Sequence, residues 1–296
     1  MLRKFKTRIR AAGLIGKYRS PDVAESLPKL AAYLERRGVR VMIEESTAAS
    51  IGASEFEVAS YETMGAEADV AIVLGGDGTL LFAARRLAEF SVPLVGVNQG
   101  RLGFMTDIAR EDMLDAMARL LGGQFSIETR LLLEAEVWRG TDRVFRSLAL
   151  NDVVVNKGDL GRLIEMKVEV DSVLLYVLRA DGMIVATPTG STAYALSANG
   201  PILHPRVAGI TLVPLCPHAL SNRPISISDE SRIDITLVSP TEGRVHFDGQ
   251  ARFDARAGDC IRVTAAGLRV TLLHPPGYDY FAMLREKLHW SEMPEP

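Results

Sequence analysis

Short apolar runs bounded by turn residues recur through the first third of the chain. Four of these runs predict strands: TRIRAAGLIG, VRVMIEE, ADVAIVL and VPLVGVN. Segments in which apolar residues recur at helical spacing lie between them and after them. Because strands that alternate with helices form a mostly parallel sheet covered on both faces, this part of the sequence predicts an α/β domain.

Three helices are predicted in this domain. The first has an N-cap at Ser20, a proline directly after the cap and Gly38 at its end. Pro28 lies inside this helix and predicts a kink or a later start. The second helix follows GGDGT, with apolar residues at helical spacing over 80–88, and the third covers 111–121 and ends at two glycines.

The pattern changes from Ile127 onward. Short alternating or apolar runs lie between turn signals, as in IETRLLLEAEVWRG and CIRVTAAGLRVTLLHPP, which is typical of a largely β domain. The last segment, YDYFAMLREKLHW, has helical spacing and is expected to pack on the first domain. We therefore predict an α/β domain over 1–125, joined by a C-terminal helix at about 278–290, and a β-rich domain over 126–277.

Composition narrows the class of protein. Hydrophobic residues make up 47% and charged residues 24%, as in a globular protein, and a net charge of -3 gives no reason to expect a nucleic acid as partner. The two cysteines lack the paired spacing of a zinc site, which favours a reducing compartment. No apolar run approaches the roughly 20 residues that span a bilayer. We expect a cytoplasmic protein that does not bind membranes.

The segment LGGDGTLL places three glycines around Asp77, between a predicted strand and a predicted helix. Ligands collect at this place in open α/β sheets, and glycines permit φ > 0 and lack Cβ atoms, so that backbone amides can face a phosphate. Gly75, Gly76, Gly78 and Thr79 are therefore a candidate phosphate loop, although neither GxxxxGK[ST] nor GxGxxG is matched. The alternative is a glycine-rich turn in which Asp77 only caps the helix.

A second loop of similar character follows the strand that runs through Val185. Its sequence TPTGST is dense in hydroxyl groups, and a helix starting near Ser191 would direct its amides at an anion or a ribose; the alternative is a capped turn. In LNDVVV, Asn151 and Asp152 can bind a nucleobase edge or ribose hydroxyls, or can simply form a strand-entry turn. Two candidate phosphate-binding loops in one chain favour a nucleotide site.

Six segments match, in order and at fitting intervals, the signatures of bacterial NAD kinases: GGDGTLL, GVNQGRLGFMTD, LNDVVVNKG, DGMIVATPTGSTAYALSANGPIL, CPHALSNRPI and DGQ. The resemblance extends from about Ile15 to His274. GGDGT also resembles a motif of diacylglycerol-kinase-like and phosphofructokinase-like relatives, whereas TPTGSTAY is highly specific. The resemblance implies transfer of the γ-phosphoryl group of ATP to the 2′-hydroxyl of the adenosine ribose of NAD, giving NADP and ADP, in a cleft between two domains.

The resemblance also implies the site residues. Asp77 matches the family's general base, with Gly78 beside it at the dinucleotide, and Asn151 and Asp152 match the pair that holds the dinucleotide. Phe82 departs from members that carry a basic or polar residue there. The other implied NAD or ATP ligands are Asp181, Thr192, Ala193, Tyr194, Ser197 and Gln250, with Arg162 and Arg179 at positions that are often basic or polar in the family.

Further expectations concern partners and metal. The resemblance implies a homo-oligomer, a dimer or a tetramer, that is built through the β-rich domain and shares parts of the dinucleotide site across the interface. No His, Cys and acidic residues have the spacing of a protein-held metal site, so Mg²⁺ is expected to arrive on the phosphates of ATP.

Two hypotheses compete with that of an NAD kinase. They are a diacylglycerol-type lipid kinase and a non-catalytic NAD-binding regulator. TPTGSTAY, LNDVV and the lack of an amphipathic membrane segment argue against the lipid kinase. The presence of Asp77 argues against the regulator.

Overall fold

The computed structural model describes residues 8–52, 56–100, 102–158, 163–219, 221–238 and 242–290. The chain divides into two compact units, which are described separately. Unit 1 comprises Met1–Thr129 and Val270–Pro296, and unit 2 comprises Arg130–Arg269. Among the helices that the structure describes, none combines the length and the apolar character that crossing a bilayer requires.

Parallel strands form the centre of unit 1. The strands are β1 (Ala11–Gly16), β2 (Arg40–Glu44), β3 (Glu57–Ala59), β4 (Val70–Leu74) and β5 (Leu94–Val97). They lie in the order β3-β2-β1-β4-β5, and each neighbouring pair is parallel. The helices are α1 (Pro21–Glu35), α2 (Glu45–Ile51), α3 (Tyr61–Glu67), α4 (Asp77–Leu87) and α5 (Met113–Leu121).

Helices cover both faces of this sheet, as the sequence predicts. On one face, buried Leu14 and Ile72 belong to the same apolar cluster as Leu27 of α1 and Met117 of α5. On the other face, a Cβ atom at Gly13 would lie 3.0 Å from the sulfur of Met64 in α3. The predicted α/β fold of this part of the chain is confirmed.

Some local predictions for unit 1 are wrong. Helix α1 begins at Pro21 and continues through Pro28, so the later start that Pro28 predicts is not observed. The predicted strand VRVMIEE ends at Glu44, because the carboxylate of this residue accepts hydrogen bonds from the amides of Ser46 and Thr47 and so caps α2. Helices α2 and α3 and strand β3 have no counterpart in the sequence prediction.

Unit 2 is built from antiparallel strands. They are β6 (Ser126–Arg139), β7 (Asp142–Ala149), β8 (Asp152–Lys157), β9 (Ile164–Val170), β10 (Val173–Ala180), β11 (Gly182–Ala186), β12 (Gly209–Leu215), β13 (Ile225–Ser228), β14 (Ile233–Leu237), β15 (Gly243–Phe247), β16 (Ala251–Ala255) and β17 (Cys260–His274), and a short helix, α6 (Tyr194–Ser197), follows β11. One sheet has the order β13-β12-β11-β8-β15-β16. The other contains β10-β9-β14-β17, with β6 paired to β17 and β7 paired to β6.

The core of unit 2 contains side chains from strands of both sheets. Val153 of β8 and Phe247 of β15 belong to the same buried cluster as Val168 of β9 and Ile235 of β14. Because side chains alternate along a strand, the neighbouring residues of β8, such as Asp152 and Val154, point to the opposite face of their sheet. The predicted largely β domain is confirmed.

The last part of the chain belongs to unit 1. The end of β17 pairs in parallel with β5, Leu272 lying opposite Leu94. A final helix, α7 (Tyr280–Leu288), follows, and the carboxylate of Asp279 accepts a hydrogen bond from the amide of Phe281 at its start. The predicted C-terminal helix is therefore present in unit 1.

Candidate functional site

Asp77 is the first residue of α4 and follows shortly after the end of strand β4. Gly76 occupies the N-cap position, so the alternative in which Asp77 caps the helix is wrong. The carboxylate instead accepts four hydrogen bonds from residues 104–106. Oδ2 accepts from the amide of Phe104 at 2.8 Å, and Oδ1 accepts from the amide of Met105 and from the amide and hydroxyl of Thr106, each at 3.1 Å.

The segment that holds Asp77 is itself held by local contacts. Asn98 donates from its side-chain amide to Oγ1 of Thr106 at 2.9 Å, and the amide of Gly103 donates to the carbonyl of Thr106 at 3.1 Å. A Cβ atom at Gly103 would overlap Oδ1 of Asp77, so this position requires glycine. In the sequence, this segment lies within GVNQGRLGFMTD, and none of its residues is a predicted site residue.

The glycines around Asp77 act differently from the prediction. Neither Gly75, Gly76 nor Gly78 has a positive φ, so the expected use of that conformation is wrong. Gly75 is required by packing, because a Cβ atom there would lie 2.6 Å from Oγ1 of Thr79, whereas Cβ atoms at Gly76 and Gly78 would meet nothing within 4 Å. The amides of Gly75 and Thr79 donate to the carbonyls of Val97 and Gly76, respectively. The backbone is therefore open to a ligand at Gly76 and Gly78.

A pocket of about 420 Å³ lies on unit 2, at the face of β8 that points away from the core. Four of the predicted site residues line it: Asn151, Asp152, Ala193 and Tyr194. The lining residues that the sequence analysis did not identify are Val154, Asn156, His246, Asp248 and Gly249. Val154 and Asn156 follow from the alternation that begins at Asp152, and Asp248 and Gly249 belong to the DGQ motif, so both signals were available in the sequence.

The topology explains why three motifs meet at this pocket. Strand β8 is antiparallel to both β11 and β15, with Asp152 opposite Ala186 and Val153 opposite Phe247. The start of β8 therefore lies beside the ends of β11 and β15, where TPTGST and DGQ follow.

Asp248 organises the turn that carries Asn151. Its Oδ1 accepts hydrogen bonds from the amides of Asn151 at 2.7 Å and Asp152 at 3.1 Å, and its Oδ2 accepts from the amide of Leu150 at 2.9 Å. The amide of Asp248 in return donates to the carbonyl of Asp152 at 3.0 Å. Asp248 therefore fixes the backbone from which the side chains of Asn151 and Asp152 project.

The TPTGST loop packs on the other side of the same turn. Thr187 donates from its hydroxyl to the carbonyl of Leu150 at 2.6 Å and from its amide to the carbonyl of Asn151 at 2.9 Å. A Cβ atom at Gly190 would overlap that carbonyl of Asn151. The helix predicted to start near Ser191 is replaced by a single 3₁₀ turn and the four-residue α6, so the expected helix N-terminus for an anion is wrong.

Burial changes the ionisation of the pocket. Burial, together with the charge of Asp248, raises the pKa of Asp152 to about 7. Burial lowers the pKa of His246, and nearby Arg252 and Arg244 lower it further. The side-chain oxygen of Asn156 is buried and has no hydrogen-bond partner in the described part of the chain. A ligand that supplies hydrogen-bond donors matches this set of acceptors.

Two predicted ligands, Asp181 and Arg179, do not line the pocket. Asp181 precedes β11 and forms an ion pair with Lys157 at 2.6 Å, and Gly182 lies opposite Asn156 in the sheet. Four residues of β8 separate that position from Asp152, roughly 13 Å at the usual rise of a strand. Arg179 is exposed on β10, and its carbonyl accepts from the amide of His218.

The remaining predicted residues take different positions. Thr192 donates from its hydroxyl to the carbonyl of Thr189, and Ser197 and Gln250 are exposed. Phe82 is 44% exposed and contacts the ring of Tyr61 edge to face. The predicted residue Arg162 lies outside the described residues.

Comparisons with known proteins place these features in a family. Residues 12–125 match the ATP-NAD kinase N-terminal domain, and residues 150–274 match the ATP-NAD kinase C-terminal domain. The chain belongs to the ATP-NAD kinase family. Its members are ATP-dependent phosphotransferases, and the kinase predicted from the sequence is confirmed at this level.

Individual relatives agree with this family over nearly the whole chain. The sequence is 62% identical over 286 residues to an NAD kinase of Azoarcus sp. strain BH72, covering 96% of this chain and 97% of the relative. It is 60% identical over 292 residues to an NAD kinase of Aromatoleum aromaticum, covering 98% of this chain and 97% of the relative.

Two solved structures share the fold of this ATP-NAD kinase family member. A yeast NADH kinase complexed with NADH superposes with a TM-score of 0.90 at 23% identity, covering 97% of this chain and 90% of that chain. An NAD kinase from Archaeoglobus fulgidus in complex with ATP superposes with a TM-score of 0.74 at 24% identity, covering 94% and 98%.

Proposed function

We propose that the chain transfers the γ-phosphoryl group of ATP to the 2′-hydroxyl of the adenosine ribose of NAD, giving NADP and ADP. The observation that carries this proposal is the convergence of LNDVVV, TPTGSTAY and DGQ on one pocket of a chain that belongs to the ATP-NAD kinase family. Asn151 and Asp152 are proposed to hold the dinucleotide there, and the unpartnered oxygen of Asn156 accepts from an N–H or O–H of the same ligand.

Asp77 is proposed to act as the general base. The ribose hydroxyl loses its proton to the carboxylate while its oxygen bonds to the γ-phosphorus and the bond from phosphorus to ADP breaks. Three of the four hydrogen bonds to Asp77 end on Oδ1, and one ends on Oδ2. Oδ2 therefore keeps the capacity to accept the hydroxyl proton. General-base catalysis of this kind contributes roughly 10²–10⁴-fold to a rate.

The phosphates of a nucleotide are proposed to approach the backbone at Gly76 and Gly78. Cβ atoms at these glycines would meet no neighbouring atom within 4 Å, so backbone at both positions is accessible. Both glycines lie at the start of α4, and the partial positive charge of a helix N-terminus favours an anion.

The donor set of the chain fits a magnesium ion that is carried by ATP. Among the described residues, no three His, Cys, Asp or Glu side chains are grouped to hold a metal ion, and Asp77 already accepts four hydrogen bonds. Mg²⁺ is commonly held by one or two carboxylates together with substrate phosphates. We propose that ATP supplies most of its ligands, and that the ion neutralises charge on the transferring phosphoryl group.

A homo-oligomer, a dimer or a tetramer, is proposed to complete the dinucleotide site. Asp181 lies roughly 13 Å along β8 from Asp152, and we propose that it contacts the dinucleotide bound to a second copy of the chain. Exposed Val173, Leu174 and Val177 on β10 offer an apolar surface for such an interface. Light scattering at micromolar concentration is expected to give a multiple of 32.3 kDa, and a monomer alone would contradict the proposal.

We further propose that the protein works in the cytoplasm. Cys216 is exposed and Cys260 partly buried, and both are free thiols, which suits a reducing compartment. Fractionation of the source cells with a specific antibody tests this proposal.

The catalytic proposal is tested by comparing the wild type with Asp77→Asn. We expect NADP formation from NAD, ATP and Mg²⁺ to fall by roughly 10²–10⁴-fold in the variant, while calorimetry shows that NAD still binds. Asp115→Asn, an exposed acid on α5 of the same unit, is the matched control and should keep the wild-type rate. A folded wild type that binds NAD without making NADP would favour the regulator, and one that does not bind NAD would favour the lipid kinase.

A further inference from the structure

A buried histidine in unit 1 lies between two acidic side chains. His274, at the end of β17, contacts Oδ2 of Asp107 through Nδ1 at 2.9 Å and Oε2 of Glu128 through Nε2 at 3.1 Å. The three side chains are only 1%, 4% and 10% exposed, respectively. The ring of Tyr278 stacks on the imidazole, with centroids 3.8 Å apart and planes at 8°. Neither the sequence motifs nor the proposed mechanism uses this cluster.

The cluster favours the charged form of the histidine. Burial lowers the pKa of His274, but the hydrogen bonds and charges of Asp107 and Glu128 outweigh burial and raise it. Oδ1 of Asp107 is buried and has no hydrogen-bond partner among the described residues. Loss of the imidazole would therefore leave the Asp107 carboxylate without its Nδ1 donor in a place that water does not reach readily.

Asp107 is the direct continuation of the segment that holds Asp77. The preceding residue, Thr106, donates from both its amide and its hydroxyl to Oδ1 of Asp77. The following residue, Ile108, joins the sheet, since its carbonyl accepts from the amide of Asn98 at 2.7 Å. The side chain of Asp107 thus anchors the chain one residue away from two of the four donors to Asp77.

We propose that His274 is a positioning residue for phosphoryl transfer, and that with Asp107 and Glu128 it fixes the segment 104–106 that orients the Asp77 carboxylate. The proposal rests on the proposed role of Asp77 as general base. His274 does not touch the substrates in this account and acts only through the backbone that ends at Thr106. A misplacement of reacting groups by about 1 Å can lower a rate on the order of 10²-fold, so a small shift of this segment is enough to matter.

The first test uses two variants that remove the cluster in different ways. His274→Gln removes the charge and one of the two hydrogen bonds, and Asp107→Asn keeps the size of the side chain and an acceptor oxygen. We expect kcat for NADP formation to fall on the order of 10- to 100-fold in both, with KM for ATP within about twofold of the wild type. Leu34→Ala, a buried residue of α1 in the same unit, is the control for lost stability alone.

The control separates positioning from general destabilisation. Leu34→Ala should lower the melting temperature by at least as much as Asp107→Asn but leave kcat within about twofold of the wild type at a temperature where all variants are folded. A fall in kcat that simply follows the melting temperature across the three variants would overturn the positioning role.

A double-mutant cycle decides whether His274 acts through Asp77. In an Asp77→Ala background the orientation of a carboxylate no longer matters, so we expect His274→Gln to change the residual kcat by less than about twofold. If the double variant loses kcat by the product of the two single-variant factors, the proposal is refuted, even if each single variant is slow. If His274→Gln does not fold, Asp107→Asn takes its place in the cycle.

The pH profile supplies a readout that packing alone would not move. The charged and titratable groups facing His274 are Asp107, Glu128 and Tyr278. We expect an alkaline fall in kcat of the wild type, as the imidazolium loses its proton, and its absence in His274→Gln. Identical profiles would contradict the proposal. An unchanged rate in Asp77→Asn alone would instead refute the proposed base, which is a separate outcome.

Discussion

The Asp152 carboxylate should destabilise the unliganded protein at neutral and alkaline pH. Burial, together with the charge of Asp248, raises its pKa from an ordinary value of 3.8 to about 7. One unit of pKa corresponds to 1.36 kcal/mol, so the ionised group costs the folded state about 4 kcal/mol above pH 7. Asp152→Asn removes the charge with little change in shape and should stabilise unit 2.

The pH dependence of this effect follows from the direction of the shift. A carboxyl group whose folded-state pKa is raised binds its proton more tightly in the folded protein, so its penalty is absent well below pH 3.8, grows with pH and is complete above about pH 7. Between pH 5 and pH 8 the advantage of Asp152→Asn should therefore grow by about 2 to 3 kcal/mol.

Urea unfolding followed by tryptophan fluorescence measures this difference in unit 2. The chain has two tryptophans, Trp138 in unit 2 and Trp290 in unit 1, so a Trp290→Phe background reports on unit 2 alone. Asp142→Asn, which removes an exposed carboxylate at the start of β7, is the control for net charge.

The reasoning about Asp152 is refuted if its variant and the Asp142→Asn control respond equally to pH. It is also refuted if Asp152→Asn is less stable than the wild type at pH 8. Weaker binding of NAD by Asp152→Asn is expected in either case, because the amide replaces one acceptor of ribose hydroxyls by a donor.

Three other predictions concern residues that support the turn at 150–152 or the segment 104–106. Asp248→Ala leaves the amides at 150–152 without their acceptor and should destabilise unit 2 by roughly 1–3 kcal/mol, with a higher KM for NAD. Urea unfolding of unit 2, followed by Trp138 fluorescence, that is the same as in the wild type would contradict this. Gly103→Ala places a Cβ atom against Asp77 and should lower kcat on the order of 10²-fold, whereas a wild-type kcat would show that the carboxylate is not held there. The raised pKa of His274 stabilises unit 1 fully below its unfolded value of 6.5, and this contribution is lost as pH rises through the folded pKa. The stability difference between wild type and His274→Gln should therefore shrink from pH 6 to pH 9 in urea unfolding, and a constant difference would argue against an imidazolium.

Local patterns were enough to predict the two-part fold. Strands β1, β2, β4 and β5 are continuous apolar runs between turn residues, and such runs are visible without any knowledge of distant contacts. Helices α2 and α3 have seven residues each, which is too short for an apolar period to stand out, and Glu44 ends its strand through a cap that the run VRVMIEE does not reveal. The later start predicted at Pro28 does not occur, because tertiary packing on the sheet holds α1 together across the missing hydrogen bond.

The sequence motifs predict which residues form the site, but they do not predict the contacts that hold those residues in place. Asn151, Asp152, Ala193 and Tyr194 were found through their motifs, and the pocket brings them together. The groups that support them are distant in sequence, since Asp248 binds an amide 98 residues earlier and His274 contacts a carboxylate 167 residues earlier. Pairings over such separations are decided by the register of the sheets, which no local pattern contains.

Phosphorus NMR of the complete reaction tests the central claim most directly. The purified protein is incubated with NAD, ATP and Mg²⁺, and the phosphomonoester signal of NADP is followed beside that of ADP. We predict that the two products appear in equal amounts with the wild type and that both slow together, by roughly 10²–10⁴-fold, with Asp77→Asn. ADP without NADP, or NADP formed at the wild-type rate by Asp77→Asn, would contradict the account.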